Sequence, residues 1–219
     1  FFVLGMLTSI PEFAVGLTSV TQGNPQIFVG NLLGGIPVLF LFAIPVLAIL
    51  GNGIKLSHGL SRQTLFVTLF VIALPSVFAV DRHITILEAL LLVGIYTLLF
   101  VFIERIQPSQ HKEKRKRILL TKSYSLLDIL QLLLGVIIVF ISSRFIVDKT
   151  ILLSSYLNMS PFLVSLVIMS LGTNLPEIIV ALRSWKKNLK ELSMSSLLGS
   201  AIANPAIIGI FALVKPIYL

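Results

Sequence analysis

The sequence predicts an all-α polytopic membrane protein made of two inverted repeats with broken motif helices. Three observations lead there. Of the 219 residues, 56% are hydrophobic and only 12% are charged, about half the roughly 25% charged share of a soluble domain. Apolar stretches close to the ~20 residues that cross a bilayer recur along the chain. A short motif holding Pro and Glu occurs twice, in "LTSIPE" at 7–12 and "GTNLPE" at 172–177.

Seven apolar segments can be read, at about 1–21, 26–50, 63–80, 84–103, 125–147, 158–182 and 192–214. None alternates at period two, which argues against a β-barrel. Helices are the remaining way to pair backbone polar groups in lipid. The first segment opens with "FFVLGML", which lacks the basic n-region and cleavage site of a signal peptide, and it reads as beginning inside a helix. The second follows the turn "TQGNP" and carries "GNLLGG" at 30–35. The third and fourth are plain apolar runs joined by "DRH", with Glu88 early in the fourth placed near an interface. The fifth carries Asp128 near its start, also placed near an interface, and ends before "DKTILLSSYLN", expected as a connector. The sixth holds the second Pro-Glu motif and runs toward Trp185, expected as an interfacial anchor. The seventh carries "SSLLGS" at 195–200. His58, His83 and His111 fall in connectors. The absence of Cys excludes disulfides and thiolate metal sites.

Orientation follows from the Lys and Arg in the connectors. The longest connector, 104–124, holds Arg105, Lys112, Lys114, Arg115, Lys116, Arg117 and Lys122. Placing it in the cytoplasm also puts Lys55, Arg62, Arg183, Lys186, Lys187 and Lys190 inside, thirteen of the 17 basic residues. The net charge of +8 is therefore a topology signal that also suits anionic lipid, and no nucleic-acid partner is expected. The localisation implied is a cell (plasma or inner) membrane with the central loop cytoplasmic.

The two motifs belong to a longer repeat. Residues 3–46 align without a gap on 168–211 at a constant offset of 165. Thr8 meets Thr173, Pro11 and Glu12 meet Pro176 and Glu177, and Leu32, Leu33 and Gly34 meet Leu197, Leu198 and Gly199. The threading runs the two motif helices in opposite directions, so the repeat is inverted. Secondary transporters are built this way, with broken helices and a site near the midplane. The expected organisation is a first repeat over 1–103 lacking its first helix, a basic cytoplasmic loop over 104–124, and a second repeat over 125–219 lacking its last two helices.

The motif has a physical reading. Pro11 has no amide hydrogen, so it frees the carbonyl of Leu7 and breaks the helix; Pro176 does the same to the carbonyl of Gly172. Thr8, Ser9, Thr173 and Asn174 add side-chain oxygens at the same level. A lone carboxylate in hydrocarbon is costly. Two antiparallel helices bring Glu12 and Glu177 face to face, where a cation between them offsets their repulsion. Oxygen-only ligands with two negative charges suit Ca²⁺, and the lack of nearby His or Cys argues against Zn²⁺ or Cu. Monovalent cations or protons can neutralise the same pair. Ser200 and Asn204, four apart, share a helix face and can present oxygens to the site. Gly34 and Gly199 read as packing residues. Thr8 and Thr173 can instead bond back to their own helices, and Asn31 and Asn204 can act as interhelical glue.

At these residues the sequence resembles the cation/calcium antiporter superfamily, the sodium/calcium exchangers and their prokaryotic relatives. That family carries two inverted repeats, each with G-T-S-x-P-E followed on the next helix by roughly G-N-x-x-G-S-x-x-x-N/D. "LTSIPE" with "GNLLGGIPVL" and "GTNLPE" with "SSLLGSAIAN" match it over about 90 of the 219 residues. The resemblance implies an exchanger fold of about ten helices, seven of them present. It implies a Ca²⁺ site made by Glu12 and Glu177 with backbone carbonyls. Thr8, Ser9, Thr173 and Asn174 would supply further oxygens, and Ser200 and Asn204 would help hold Na⁺ or complete the central site. The departures are Leu7 for Gly, Asn174 for Ser, Gly35 for Ser and Leu39 for Asn or Asp.

The expected function is secondary antiport of Ca²⁺, or a related cation, against Na⁺ or H⁺ by alternating access. No cofactor is expected and no enzymatic activity; the ions are cargo. Two other readings stay open on the residues alone. One is a cation-binding membrane protein or sensor without transport, motivated by Gly35 and Leu39. The other is an intramembrane enzyme using the carboxylates as acid and base, for which no nucleophile is visible. The oligomeric state is not readable from the chain.

Overall fold

The computed structural model describes residues 8–50, 62–106, 125–186 and 190–219, with side chains described at 8–49, 66–102, 125–186 and 197–219. The basic run at 112–117, Leu7 and most of the connector holding Lys55 lie outside the described residues. We number the helices α1 (Ile10–Thr21), α2 (Gln26–Pro37, continued by a π-helical Val38–Ala43 and by Ile44–Leu50), α3 (Arg62–Phe78) and α4 (Ile86–Ile106). They are followed by α5 (Leu126–Leu157), α6 (Pro161–Val164, π-helical Ser165–Met169, then Ser170–Thr173), α7 (Leu175–Lys186) and α8 (Lys190–Val214). Two short strands, β1 (His83–Ile84) and β2 (Ile217–Tyr218), pair antiparallel.

Among the described residues, four helical spans are long and apolar enough to cross a membrane: Gln26–Ile49, Leu126–Leu157, Pro161–Lys186 and Leu197–Val214. The exposure pattern fits lipid as the solvent. On α5, Leu126, Leu130, Leu133, Leu134, Ile137, Ile138 and Ile141 are all exposed, an apolar face that a water-soluble monomer does not carry.

Helix α5 corrects one boundary. Residues 148–157, expected as a connector, are helical, and α5 runs to Leu157. At 1.5 Å per residue a 32-residue helix is about 48 Å long, well beyond the ~30 Å hydrocarbon core. Its ends explain the length. Ser125 and Asp128 form a capping box at the start, and Asn158 in the left-handed region (φ 52°) takes the bonds to the carbonyls of Ser154 and Ser155. Polar "DKT" and "SS" tell where lipid ends, not where the helix ends.

Several helix ends and connectors meet on one face. Gln22 donates from Nε2 to Asp148 Oδ1 at 2.9 Å, His83 packs on Tyr218, and Leu219 donates its amide to the carbonyl of Arg82 at 2.9 Å. One apolar cluster sits toward this face, with Phe28, Ile84, Ile208, Phe211 and Ile217. A second holds Leu47, Ile72, Leu99, Trp185, Leu197 and Ile202. Trp185, expected as an interfacial anchor, is packed in this second cluster instead.

Helices α2 and α6 touch backbone to backbone. A Cβ at Gly30 would overlap the Ser165 hydroxyl, and one at Gly34 would overlap the carbonyl oxygen of Leu166. Gly34 is a packing residue, as its small side-chain motif implies. The stretch it meets is the π-helical turn of α6, a distortion common at functional sites.

Candidate functional site

The site grows from two helix breaks. Ser9 precedes α1 at φ −87°, ψ 10°, and Asn174 separates α6 from α7 at φ −87°, ψ −2°. These positions are 165 apart in the sequence. After each, the backbone resumes a helix with an equivalent bond, Phe13 N to Ser9 O at 3.0 Å and Ile178 N to Asn174 O at 3.1 Å. Pro11 and Pro176 lie two residues past the breaks, where a missing amide hydrogen is tolerated because first-turn amides have no intrahelical acceptor.

Glu12 and Glu177 fall in those first turns. The positive end of a helix dipole favours a carboxylate there. Both are buried, 4% and 1% exposed. Each keeps one buried oxygen, Oε2, without a hydrogen-bond partner among the described residues. Helix α1 ends at Thr21 and α7 at Lys186, so each carboxylate stands about 14 Å from the far end of its helix at 1.5 Å per residue.

The other expected residues divide into those that reach the carboxylates and those that do not. Ser200 on α8 donates from Oγ to Glu177 Oε1 at 3.3 Å. It lies 2.7 Å from Thr8 Oγ1. Thr8, Ser200 and Glu177 are thereby joined through the Ser200 hydroxyl. Thr173 does not mirror Thr8. Its hydroxyl donates across to Asn31 Oδ1 at 2.8 Å, with the carbonyl of Met169 farther off at 3.3 Å. Asn174 turns its amide to the backbone, Nδ2 to Ser170 O at 2.8 Å. Asn204 donates to the carbonyl of Leu32 at 3.2 Å, an interhelical tie between α8 and α2. Ser9 is buried at its break.

Two residues matter more than the sequence suggested. Asn31 partners Thr173, and its Nδ2 is buried without an acceptor among the described residues. Ser170, fully buried, donates to Leu166 O at 2.6 Å and accepts from Asn174. A usable signal for both existed: each is a polar residue in an apolar helix, within a few residues of a motif. Leu39 is fully buried in the apolar cluster. Among the described residues no three His, Cys, Asp or Glu side chains gather, so the site's chemistry is two carboxylates plus hydroxyl, amide and carbonyl oxygens.

Comparison with known proteins identifies the fold. The chain is 27% identical over 222 residues to CaxA of Alkalimonas amylolytica, covering 98% of this chain and 69% of that protein. Its fold matches the crystal structure of the H⁺/Ca²⁺ exchanger CAX with a TM-score of 0.71 at 17% identity, over 96% of this chain and 58% of that one. It matches the sodium/calcium exchanger from Methanococcus jannaschii with a TM-score of 0.65 at 22% identity, over 99% of this chain and 68% of that one. The fold is therefore the inverted-repeat exchanger fold of an integral membrane protein, and the chain spans little more than half the length of CAX. The sodium/calcium exchanger protein model matches residues 1–103 and 127–219, nearly the whole sequence, and the chain belongs to that family of transporters.

Proposed function

We propose that the protein is a secondary antiporter that moves Ca²⁺, or a related cation, against Na⁺ or H⁺. Glu12 and Glu177 would be its shared binding site at the membrane midplane. The observation that carries this reading is the pair of carboxylates buried at two matching helix breaks, each with an oxygen left without a partner. About 14 Å from a helix end is close to half of a ~30 Å hydrocarbon core. Family membership and the exchanger folds of CAX and the Methanococcus jannaschii protein support the same reading.

The mechanism follows from charge balance. Two buried carboxylates are tolerable in the membrane only when neutralised. One divalent cation does this, and so do two monovalent ions or two protons. Both cargoes need the same oxygens, so one must leave before the other binds. That competition makes the protein an exchanger rather than a channel. The freed carbonyls at the breaks and the oxygens of Thr8, Ser9, Thr173, Asn174, Ser200 and Asn204 would complete the coordination. Hard oxygen donors and net double charge favour Ca²⁺. The basic connector over 104–124 would face the cytoplasm.

The test is ⁴⁵Ca²⁺ uptake by the purified protein in vesicles, with Na⁺ and pH gradients imposed separately. Uptake driven by one gradient and lost in Glu12→Gln and Glu177→Gln is expected. Wild-type flux in both variants would overturn the reading. Ca²⁺ binding without flux under either gradient would favour a sensor.

A further inference from the structure

We infer that the cavity between the α1–α2 turn and the end of α8 binds the phosphate of a membrane glycerophospholipid, with an acyl chain lying along Phe13 and Leu17 of α1. The site stands apart from the carboxylates and is independent of the antiport reading.

The cavity has a volume of about 250 Å³, on the order of eight water volumes at ~30 Å³ each. Val20, Gly23 and Gln26 line it from the first repeat, and Lys215, Ile217 and Tyr218 from the second. Its polar side chains are thus an ammonium, an amide and a phenol. All three can donate a hydrogen bond, and the lining holds no carboxylate. Asp148, on the same face, is engaged by Gln22 Nε2 at 2.9 Å. Tyr218 is held in place by the His83 ring, with centroids 4.5 Å apart, and by the pairing of β1 with β2. Donors and a positive charge without an acid select an anion.

The surroundings say which kind of anion. Lys215 lies one turn beyond Phe211, whose carbonyl accepts its amide at 3.2 Å. Phe211 packs on Phe13 at a centroid distance of 5.1 Å, and a Cβ at Gly16 would overlap its ring. Helices α1 and α8 therefore lie side by side on the membrane side of the cavity. Phe13, Leu17 and Val20 are spaced i, i+4 and i+7, which puts them on one face of α1. Phe13 and Leu17 are 37% and 42% exposed, and Val20 lines the cavity. An apolar track thus leads from the lipid-facing surface to a cation. A free phosphate would fill the cavity and leave the track bare, whereas a glycerophospholipid uses both. A lysine at the end of an apolar helix, with its head at headgroup level, has the right reach. A lipid seated there bridges the two repeats.

Two measurements on the full chain, purified in detergent and stripped of lipid, test this. Native mass spectrometry counts the dioleoylphosphatidylglycerol molecules retained across a titration, and thermal unfolding reads their effect on stability. Wild type should hold one lipid more tightly than the rest and melt several degrees higher with it. Lys215→Gln should weaken that one step by about tenfold, the loss of one charged contact, and should lose the thermal gain. Lys215 is exposed, so the variant keeps its fold. Lys215→Arg should retain both effects. Lys149→Gln, which removes an exposed cation outside the cavity lining, should leave both unchanged. Equal affinity in wild type and Lys215→Gln would overturn the inference, as would equal weakening by Lys149→Gln, the mark of diffuse charge attraction. Two further probes separate the sources. Inorganic phosphate has no chains and dioleoylglycerol has no phosphate, and each should fall well short of the lipid's thermal gain. A full gain from the first means a free-anion site and from the second a plain apolar groove; either result overturns the inference.

Discussion

Replacing Gly34 with Ala should unseat α2 from α6 and loosen the site from a distance. The new Cβ would overlap the Leu166 carbonyl oxygen and press on the Ser170 hydroxyl at 2.7 Å. Leu166 belongs to a helix backbone, so the neighbour cannot rotate away and α2 must move. Overpacking of this kind costs about 1–3 kcal/mol. The same helix carries Asn31 and the Leu32 carbonyl, which bind Thr173 and Asn204. Weakening both bonds adds about 1 kcal/mol. A loss of about 2–4 kcal/mol lowers the melting temperature of a chain this size by roughly 4–16 °C. The assay is thermal unfolding of the purified protein in detergent, followed by retention of a monodisperse peak. Gly94→Ala and Gly135→Ala are the controls, because a Cβ at either meets nothing within 4 Å. Each removes a helical glycine and should be neutral or stabilising by up to about 1 kcal/mol. The reasoning is refuted if Gly34→Ala melts with the wild type, or if the controls fall as far.

Two further predictions concern polar contacts away from the carboxylates. Thr18 and Ser143 share a buried bond of 2.7 Å between α1 and α5, and Ser143 also donates to Phe140 O at 2.7 Å. The single serine proton makes Thr18 the donor to Ser143. Ser143→Ala therefore strands a buried hydroxyl donor and should destabilise by about 1–3 kcal/mol, whereas Thr18→Val should cost no more than about 1; equal losses in chemical denaturation would refute the assignment. At the start of α5, Ser125 accepts from Leu127 N at 3.3 Å and Asp128 accepts from Ser125 N at 3.0 Å. Ser125→Ala should cost about 1 kcal/mol and speed amide exchange in the first turn of α5; unchanged exchange there would show that the cap is idle.

What the sequence determined by itself is everything that depends on one residue and its near neighbours. Lipid immersion follows from composition and run length. The two helix breaks follow from Pro11 and Pro176, since a missing amide hydrogen acts within a turn. The inverted duplication was visible because identical local chemistry recurs at one offset, and it paired Glu12 with Glu177 before any coordinates. The tertiary structure decided what those groups touch. Nothing local says that Thr8 reaches Ser200 while its counterpart Thr173 reaches Asn31, or that Asn204 ties α8 to the Leu32 carbonyl. These partners lie more than a hundred residues apart and meet only because α2, α6 and α8 pack as they do. The end of α5 was hidden for a related reason. Polarity marks where lipid stops, but a helix continues until its carbonyls find another partner, here at Asn158.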